Sequence, residues 1–416
     1  MNKSEIRSSS VVAYVVAEFP SPTELFILRE LEGLRELGVS VWIFALRQPS
    51  DTNACPRASD AFLPRTTHAP SLWPLQLWGR AVGTMLRVPW RCIREIGSLA
   101  WHSLAGGRLR HFVWHLRHAP TALWLAAELR RRDIVHVHVH FAHVTSSVAM
   151  AAATIVGLPW TLSVHAFDLY VEPILLNDKL ARAKKVVTCT QANRDFMLSS
   201  FSSADPERIR TLYHGMRVMD PTPTINYLPP AASNVLFIGR LIEKKGADIL
   251  LRAFRKLRVE DASLRCRFIG DGVMRSSLEQ MAGDLGVSGA VEFLGALPHE
   301  DAMGFLRRAT LLVVPSRVDA RGDRDGLPNV ILEAAAVGVP VVASSAGAIP
   351  EFVEHGNTGL IVPSNDSVAL AEAIGEVLMS PELAQRLVAG ACKKAYSKFD
   401  AMTAVRALAD LFCEKQ

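Results

Sequence analysis

The sequence predicts an α/β protein built from two Rossmann-like halves, and three observations predict it. Short apolar runs alternate with amphipathic helical stretches through most of the 416 residues. A segment with four prolines and no clear period, Asp220 to Pro230, separates two such alternations. Glycine-bearing turns follow several of the runs, where open α/β sheets place their ligands. The length also suits two domains of about 200 residues. The expected boundaries are 1–219 for the first domain, 220–232 for a linker, 233–395 for the second domain and 396–416 for a C-terminal helix. The two halves are expected to face each other across a cleft.

In chain order, Val11–Val16 is a continuous apolar run, as a parallel strand covered on both faces requires. Ser21-Pro22-Thr23-Glu24 reads as a capping box with proline at the first helical position, opening a helix to Leu37. Gly38 ends it, and Val39–Leu46 is the next strand. Asp133–His140, Trp160–Val164 and Val186–Cys189 are further strands, with a helix over 144–156. No charged residue lies between Asp133 and Asp168, and Val144–Val164 approaches spanning length. Gly157-Leu158-Pro159 divides that stretch, and Thr145, Ser146 and Ser147 lie in its helix, so a buried helix–turn–strand is the preferred reading. In the second half, strands are expected at Val235–Ile238, Leu264–Ile269, Val291–Leu294, Leu311–Val314 and Val339–Ala343. Helices are expected from Ala247, over Met274–Leu285 and Asp301–Arg308, from near Pro328, and in the closing segment Val368–Phe412.

Between Arg65 and Arg132 the alternation stops. The net charge of the chain is only +5, yet this stretch holds eleven arginines against Glu95 and Glu128, so the remainder is net acidic by four. Six of the eight tryptophans, Trp73, Trp78, Trp90, Trp101, Trp114 and Trp124, are interleaved with those arginines. The segment, about 65–130, is expected to be a helical insertion in the first domain. Its surface has two readings: a membrane-surface or lipid-acceptor region across 65–132, or a lobe with tryptophan inside and arginine in solvent. Nothing in it resembles a nucleic-acid-binding module. Six scattered cysteines without a C-x-x-C pair, and a polar start followed by a strand interrupted at Glu18, favour a cytoplasmic protein, peripheral on the inner membrane face in the first of the two readings.

Two segments carry the chemistry. Gly239-Arg240-Leu241-Ile242-Glu243-Lys244-Lys245-Gly246 follows an apolar strand and offers cations, Arg240 and Lys245, suited to a diphosphate; its bland alternative is a surface charge cluster. Asp325-Gly326-Leu327-Pro328-Asn329-Val330-Ile331-Leu332-Glu333 offers two carboxylates around a turn that opens a helix, suited to sugar hydroxyls and, through backbone N–H groups, to an anion. Acid pairs at this spacing arise by chance about four times in such a chain, so strand, turn and helix must carry the reading, against a capped surface helix. Gly270-Asp271-Gly272 is a second turn of the same kind. In the first half, His136, His138 and His140 alternate and share one strand face, with His143 beyond. No Cys, Asp or Glu lies among them, so packed or cleft-lining histidines are preferred to a metal site. His165, at the end of the strand Trp160–Val164, is placed to hydrogen-bond a sugar hydroxyl or steady charge in the reaction.

These residues make the second half resemble glycosyltransferase family four, whose members have the GT-B fold and transfer sugar with retention. Gly239–Gly246 is similar to the family's G-R-L-x-x-x-K-G, which implies that Arg240 and Lys245 grip the diphosphate. Asp325–Glu333 is similar to its two-acid motif, which implies Glu333 at the ribose and Asp325 at the donor sugar. The donor site so implied comprises Gly239, Arg240, Lys245, Gly270, Asp271, Asp325, Gly326, Leu327, Asn329 and Glu333. His165, Asp325, Arg240 and Lys245 are the catalytic candidates, and Glu24 and His140 are placed on the acceptor side. Phe19–Ile27, His138–Ala142 and Gly322–Gly326 look most like bacterial exopolysaccharide and colanic-acid-type transferases. Two positions depart from the pattern: Asp325 stands for a commoner Glu, one methylene shorter, and Ala348 for a usual Gly.

The resemblance implies a nucleotide diphosphate sugar as donor and a hydroxyl of a glycan or polyprenyl-diphosphate-linked acceptor. Retention implies attack from the leaving-group face. No metal or other cofactor is expected, because Asp323 and Asp325, although spaced as D-x-D, lie in the sugar loop. Two other functions compete: a nucleotide-sugar epimerase, and a non-catalytic sugar-nucleotide-binding assembly protein.

Overall fold

The computed structural model describes residues 11–21, 24–49, 57–71, 75–105, 109–216 and 233–413. The expected linker 220–232, with Pro22, Thr23 and Trp73, lies outside them. The chain forms two compact units. The first takes in the described residues to Cys189, Asn193–Leu212 and the chain from Met402; the second takes in Thr190–Ala192 and Tyr213–Ala401.

The first unit is a parallel sheet in the order β3-β2-β1-β4-β5-β6-β7. Its strands are β1 (Val11–Glu18), β2 (Ser40–Arg47), β3 (Thr66–His68), β4 (Ile134–His140), β5 (Trp160–Val164), β6 (Lys185–Thr188) and β7 (Ile209–Thr211). The helices of this part of the chain are α1 (Leu25–Glu36), α2 (Leu75–Arg87), α3 (Pro89–Ala105), α4 (Leu109–Arg131), α5 (Val144–Val156), α6 (Ala166–Tyr170), α7 (Leu176–Arg182) and α8 (Gln191–Ser200). Val12–Val16 are essentially unexposed, which is why β1 needs no polar alternation. α5 is buried along nearly its whole length and stops at Gly157, whose φ of 77° closes the helix in the left-handed region. Among the described residues no helix is long and apolar enough to cross a membrane.

The second unit repeats the scheme, with order β10-β9-β8-β11-β12-β13. Its strands are β8 (Asn234–Ile238), β9 (Arg265–Ile269), β10 (Val291–Gly295), β11 (Leu311–Val314), β12 (Val341–Ser344) and β13 (Leu360–Val362). Its helices are α9 (Ala247–Glu260), α10 (Arg275–Asp284), α11 (His299–Arg307), α12 (Asn329–Val337), α13 (Ile349–Phe352), α14 (Ser367–Met379) and α15 (Pro381–Lys398). In both sheets the first strand lies at the point where the order reverses, the place where doubly wound sheets open a crevice at their carboxyl ends.

Three expectations are corrected, and three short strands are added to those expected. The first helix begins at Leu25, not from a capping box at Ser21: Glu24 is its N-cap, no side chain caps it, and the Glu24 carbonyl takes the Ile27 N–H at 3.0 Å. The strand expected from Val339 begins at Val341, because Pro340 has no N–H for the ladder; its carbonyl accepts from Leu312 at 2.9 Å. The strands β3, β7 and β13 have three residues each, too short for a readable period. The C-terminal helix does not run from 396: α15 ends at Lys398, and a separate helix α16 (Ala401–Cys413) joins the first unit. There Val405, Leu408, Leu411 and Phe412 share a core with Val12, Tyr14, Ile27 and Leu31.

Candidate donor and imidazole sites

Three loops meet at the carboxyl ends of β8, β9 and β11. The loop after β8 is tied to the loop after β9 by Gly239 N–H to Ile269 carbonyl and Leu241 N–H to Asp271 carbonyl, each 2.9 Å. The glycines are there for closeness. A Cβ on Gly270, whose φ is 130°, would lie 2.0 Å from the Gly239 carbonyl oxygen. One on Gly246, φ 66°, would lie 1.9 Å from that of Pro315 at the end of β11.

This interlock brings the two charged motifs together. Lys245 Nζ lies 2.9 Å from Asp325 Oδ2, which also accepts from Ser316 Oγ at 2.8 Å. Lys244, exposed in the bland alternative of a surface charge cluster, is buried: its Nζ lies 2.9 Å from Asp323 Oδ1, 3.3 Å from the Arg324 carbonyl and 3.8 Å from Asp325 Oδ1. Burial alone would raise the Asp325 carboxyl, but Lys245, Lys244 and Ser316 outweigh it and hold the group below its usual range. Asp325 is therefore an ionised carboxylate bonded to Lys245 and Ser316. Arg240 is exposed, and Asp271 is half-exposed beside Arg275 at 3.3 Å. Gly326 and Leu327 lead into α12, where Asn329 is the first residue after the Pro328 N-cap. Glu333 sits one turn on, largely buried, with His299 Nε2 at 4.0 Å. The motif marks Lys245 and leaves Lys244 at a variable position; that Lys244 is buried is decided by the fold.

In the first unit His136, His138 and His140 lie on one buried face of β4. Thr161 on β5 bonds His136 Nε2 (3.1 Å) and His138 Nδ1 (2.7 Å), and Ser163 bonds His138 Nε2 (3.2 Å). Burial, helped by Lys184, pushes His136 down to about 3, and burial also holds His138 well below its ordinary range, so both are neutral. The acid that sequence reasoning found missing is supplied by α1. Glu30 Oε1 lies 3.1 Å from His140 Nε2 and 3.9 Å from His138 Nε2, and these three side chains have the donor types to hold a metal ion. Each of the three already has a hydrogen-bond partner: Tyr14 donates to Glu30 at 2.6 Å, and His140 Nδ1 lies 3.4 Å from His165 Nε2. His140 is fully buried with both ring nitrogens engaged, so it offers no atom to an acceptor, contrary to its expected place.

The loop after β4 is held from below. Asp168 accepts the backbone N–H of Ala142 and of His165 (3.0 Å for the latter), while Lys179 Nζ donates to the Ala142 and His143 carbonyls, each at 2.8 Å. His165 is the N-cap of α6 and only 9% exposed. Glu24 is partly buried, which pushes its carboxyl up despite the opposing field of His140, and it lines a small crevice with Phe19, Ile27 and Ser59.

The insertion forms α2, α3 and α4. Trp124 is buried and packs edge-on to Phe44, but Trp78, Trp90 and Trp101 are exposed, the last two at 81% and 69%. They align with exposed Leu75, Val82 and Leu86 on α2 and with Ile93 and Leu104 on α3. Both acids of the segment are buried: Glu95 pairs with Arg182, and Glu128 with Arg80, Arg131 and Arg132.

Residues 228–394 match the family described as "Glycosyl transferases group 1". The chain is 25% identical over 411 residues to a protein named as the colanic acid biosynthesis glycosyltransferase WcaL of Salmonella typhimurium, an alignment covering 96% of this chain and 98% of that one. It is 30% identical over 293 residues to D-inositol 3-phosphate glycosyltransferase 1 of Catenulispora acidiphila, covering 63% and 68%. Among solved structures it is similar to Anabaena Alr3699/HepE in complex with UDP and glucose, with a TM-score of 0.69, 17% identity, and 97% and 99% of the two chains covered. That likeness shows the GT-B fold.

Proposed function

The chain belongs to the group 1 glycosyltransferases, and on that premise we propose that it moves a hexose, with retention, from a nucleoside diphosphate to a hydroxyl of a lipid-linked glycan in cell-surface polysaccharide synthesis. The observation that carries this is the interlock that pairs Lys245 with Asp325. The leaving group gains negative charge, so what the reaction needs is positive potential fixed in advance. In this reading Arg240, Lys245 and the backbone N–H groups opening α12 supply it, Glu333 takes the ribose hydroxyls, and no metal is required. Asp325 orients Lys245, and His165 is the imidazole of the reaction. The names of the relatives support the polysaccharide setting: one belongs to colanic acid biosynthesis, and the Anabaena structure holds UDP and glucose. An epimerase or an assembly protein has no comparable support.

The acceptor's lipid suits the insertion. The exposed stripes of α2 and α3 carry tryptophan at the level of arginines 87, 91 and 94 with no exposed acid beside them, as a surface seated on an anionic bilayer would.

The test is product analysis with purified protein. Transfer from a nucleotide sugar to an added lipid-linked glycan, with the anomeric configuration kept, is expected. Arg240→Ala should lower kcat/KM by about a hundredfold, the scale of one preorganised donor. Near-normal turnover of that variant would remove Arg240 from the site.

A further inference from the structure

Beneath His165 runs a hydrogen-bond chain whose two ends leave its direction no freedom. At the inner end is Glu30, largely buried on α1. Its Oε1 already takes the Tyr14 hydroxyl at 2.6 Å, and the same oxygen faces His140, so it is the acceptor of both bonds. The His140 Nε2 facing it at 3.1 Å must therefore carry a proton. At the outer end, the N-terminal turn of α6 can only donate: its third N–H faces the His165 side chain in a capping box whose other half is Asp168 accepting the His165 N–H. The ring nitrogen next to the backbone, Nδ1, must offer a lone pair there, which leaves the proton of neutral His165 on Nε2. The middle link agrees from both sides, His165 Nε2–H giving to His140 Nδ1 at 3.4 Å.

We propose that Glu30 and His140 are positioning residues that fix His165 as a neutral imidazole protonated on Nε2. The inference rests on reading His165 as the reaction's imidazole. Its consequence is that His165 meets a sugar oxygen as an N–H donor and is a poor proton acceptor, since a second proton would set Nδ1–H against the backbone N–H. The link at 3.4 Å is the longest in the chain, and a substrate oxygen can share that N–H. This also gives the buried Tyr14–Glu30–His140 cluster a purpose that His140 as an acceptor contact did not.

The test uses the full-length protein labelled with 15N-histidine, in which long-range 1H–15N spectra distinguish the two tautomers. His165 should appear neutral and protonated on Nε2 near neutral pH. A Nδ1–H tautomer or an imidazolium overturns the proposal, and this wild-type spectrum decides even if a variant fails to fold. Glu30→Leu and His140→Phe should each lower kcat by about tenfold to a hundredfold, the usual cost of losing an outer partner, while KM for the nucleotide sugar moves less than about twofold. Glu30→Gln should recover most of the loss, because one oxygen, Oε1, takes both the Tyr14 and the His140 bonds. Wild-type turnover in both Glu30→Leu and His140→Phe overturns it. Undiminished kcat in His165→Ala would instead remove His165 from the reaction while leaving the tautomer spectrum as found, so the two failures are separable.

Discussion

Lys244 and Lys245 are neighbours in sequence and differ wholly in situation. Lys245 is partly exposed at Asp325, while Lys244 is buried between Asp323 and Asp325. A buried charge that loses its partner costs more than the pair ever contributed. Lys244→Met should therefore destabilise the protein by about 3–5 kcal/mol, read by urea denaturation; a change within experimental error would mean that the aspartates relax into water. Glu30 makes a claim about pH. Its folded value of about 2 lies below the ordinary 4.5, so between those values the folded state holds fewer protons than the unfolded chain. The contribution is complete above about 4.5 and drains away as pH falls toward 2. Glu30→Gln should flatten the acid limb of the stability curve, and equal slopes in wild type and variant would refute the assignment.

At the scale of elements, the loops work because glycine lets backbones touch. The approaches of Gly246 to Pro315 and of Gly270 to Gly239 draw three strand ends close enough for lysine to reach aspartate. The helices of the insertion do the opposite and leave apolar surface uncovered. Trp90 and Trp101 project from α3, so replacing both by Asp should leave the fold intact and abolish co-sedimentation with anionic vesicles. Should wild type fail to sediment at low salt, or the double variant sediment equally, the bilayer reading is wrong.

At the scale of the whole chain, the last helix completes the first unit. Phe412 lies edge-on to Tyr14 with ring centroids 6.2 Å apart and covers His136 and His138. The C-terminal end thus roofs the same buried face that holds Glu30 and His140. Phe412→Ala should cost about 3–5 kcal/mol, measured as a lowered midpoint of unfolding of the first unit, and it should loosen the histidine ladder beneath. An unaltered midpoint would show that α16 contributes nothing to that core.

Both sheets were legible in the sequence because parallel strands buried on two faces are written as continuous apolar runs, and Val11–Val16 or Leu311–Val314 can be little else. The donor motifs were legible because a turn that must let backbones touch needs glycine, and Gly239, Gly246 and Gly270 mark it. What the sequence could not contain was partnership at a distance. Glu30 is 110 residues from His140, and Lys244 is 79 from Asp323. The pairing of each acid with its base depends on which helix crosses which strand. The tryptophans are a partial exception, since exposed Trp90 is flanked by Arg87, Arg91 and Arg94 whereas buried Trp124 lies in the apolar run Ala122–Ala127. Local sequence determined the elements and the chemistry each could carry; only tertiary packing, by excluding water from some side chains and not others, decided which of them act together.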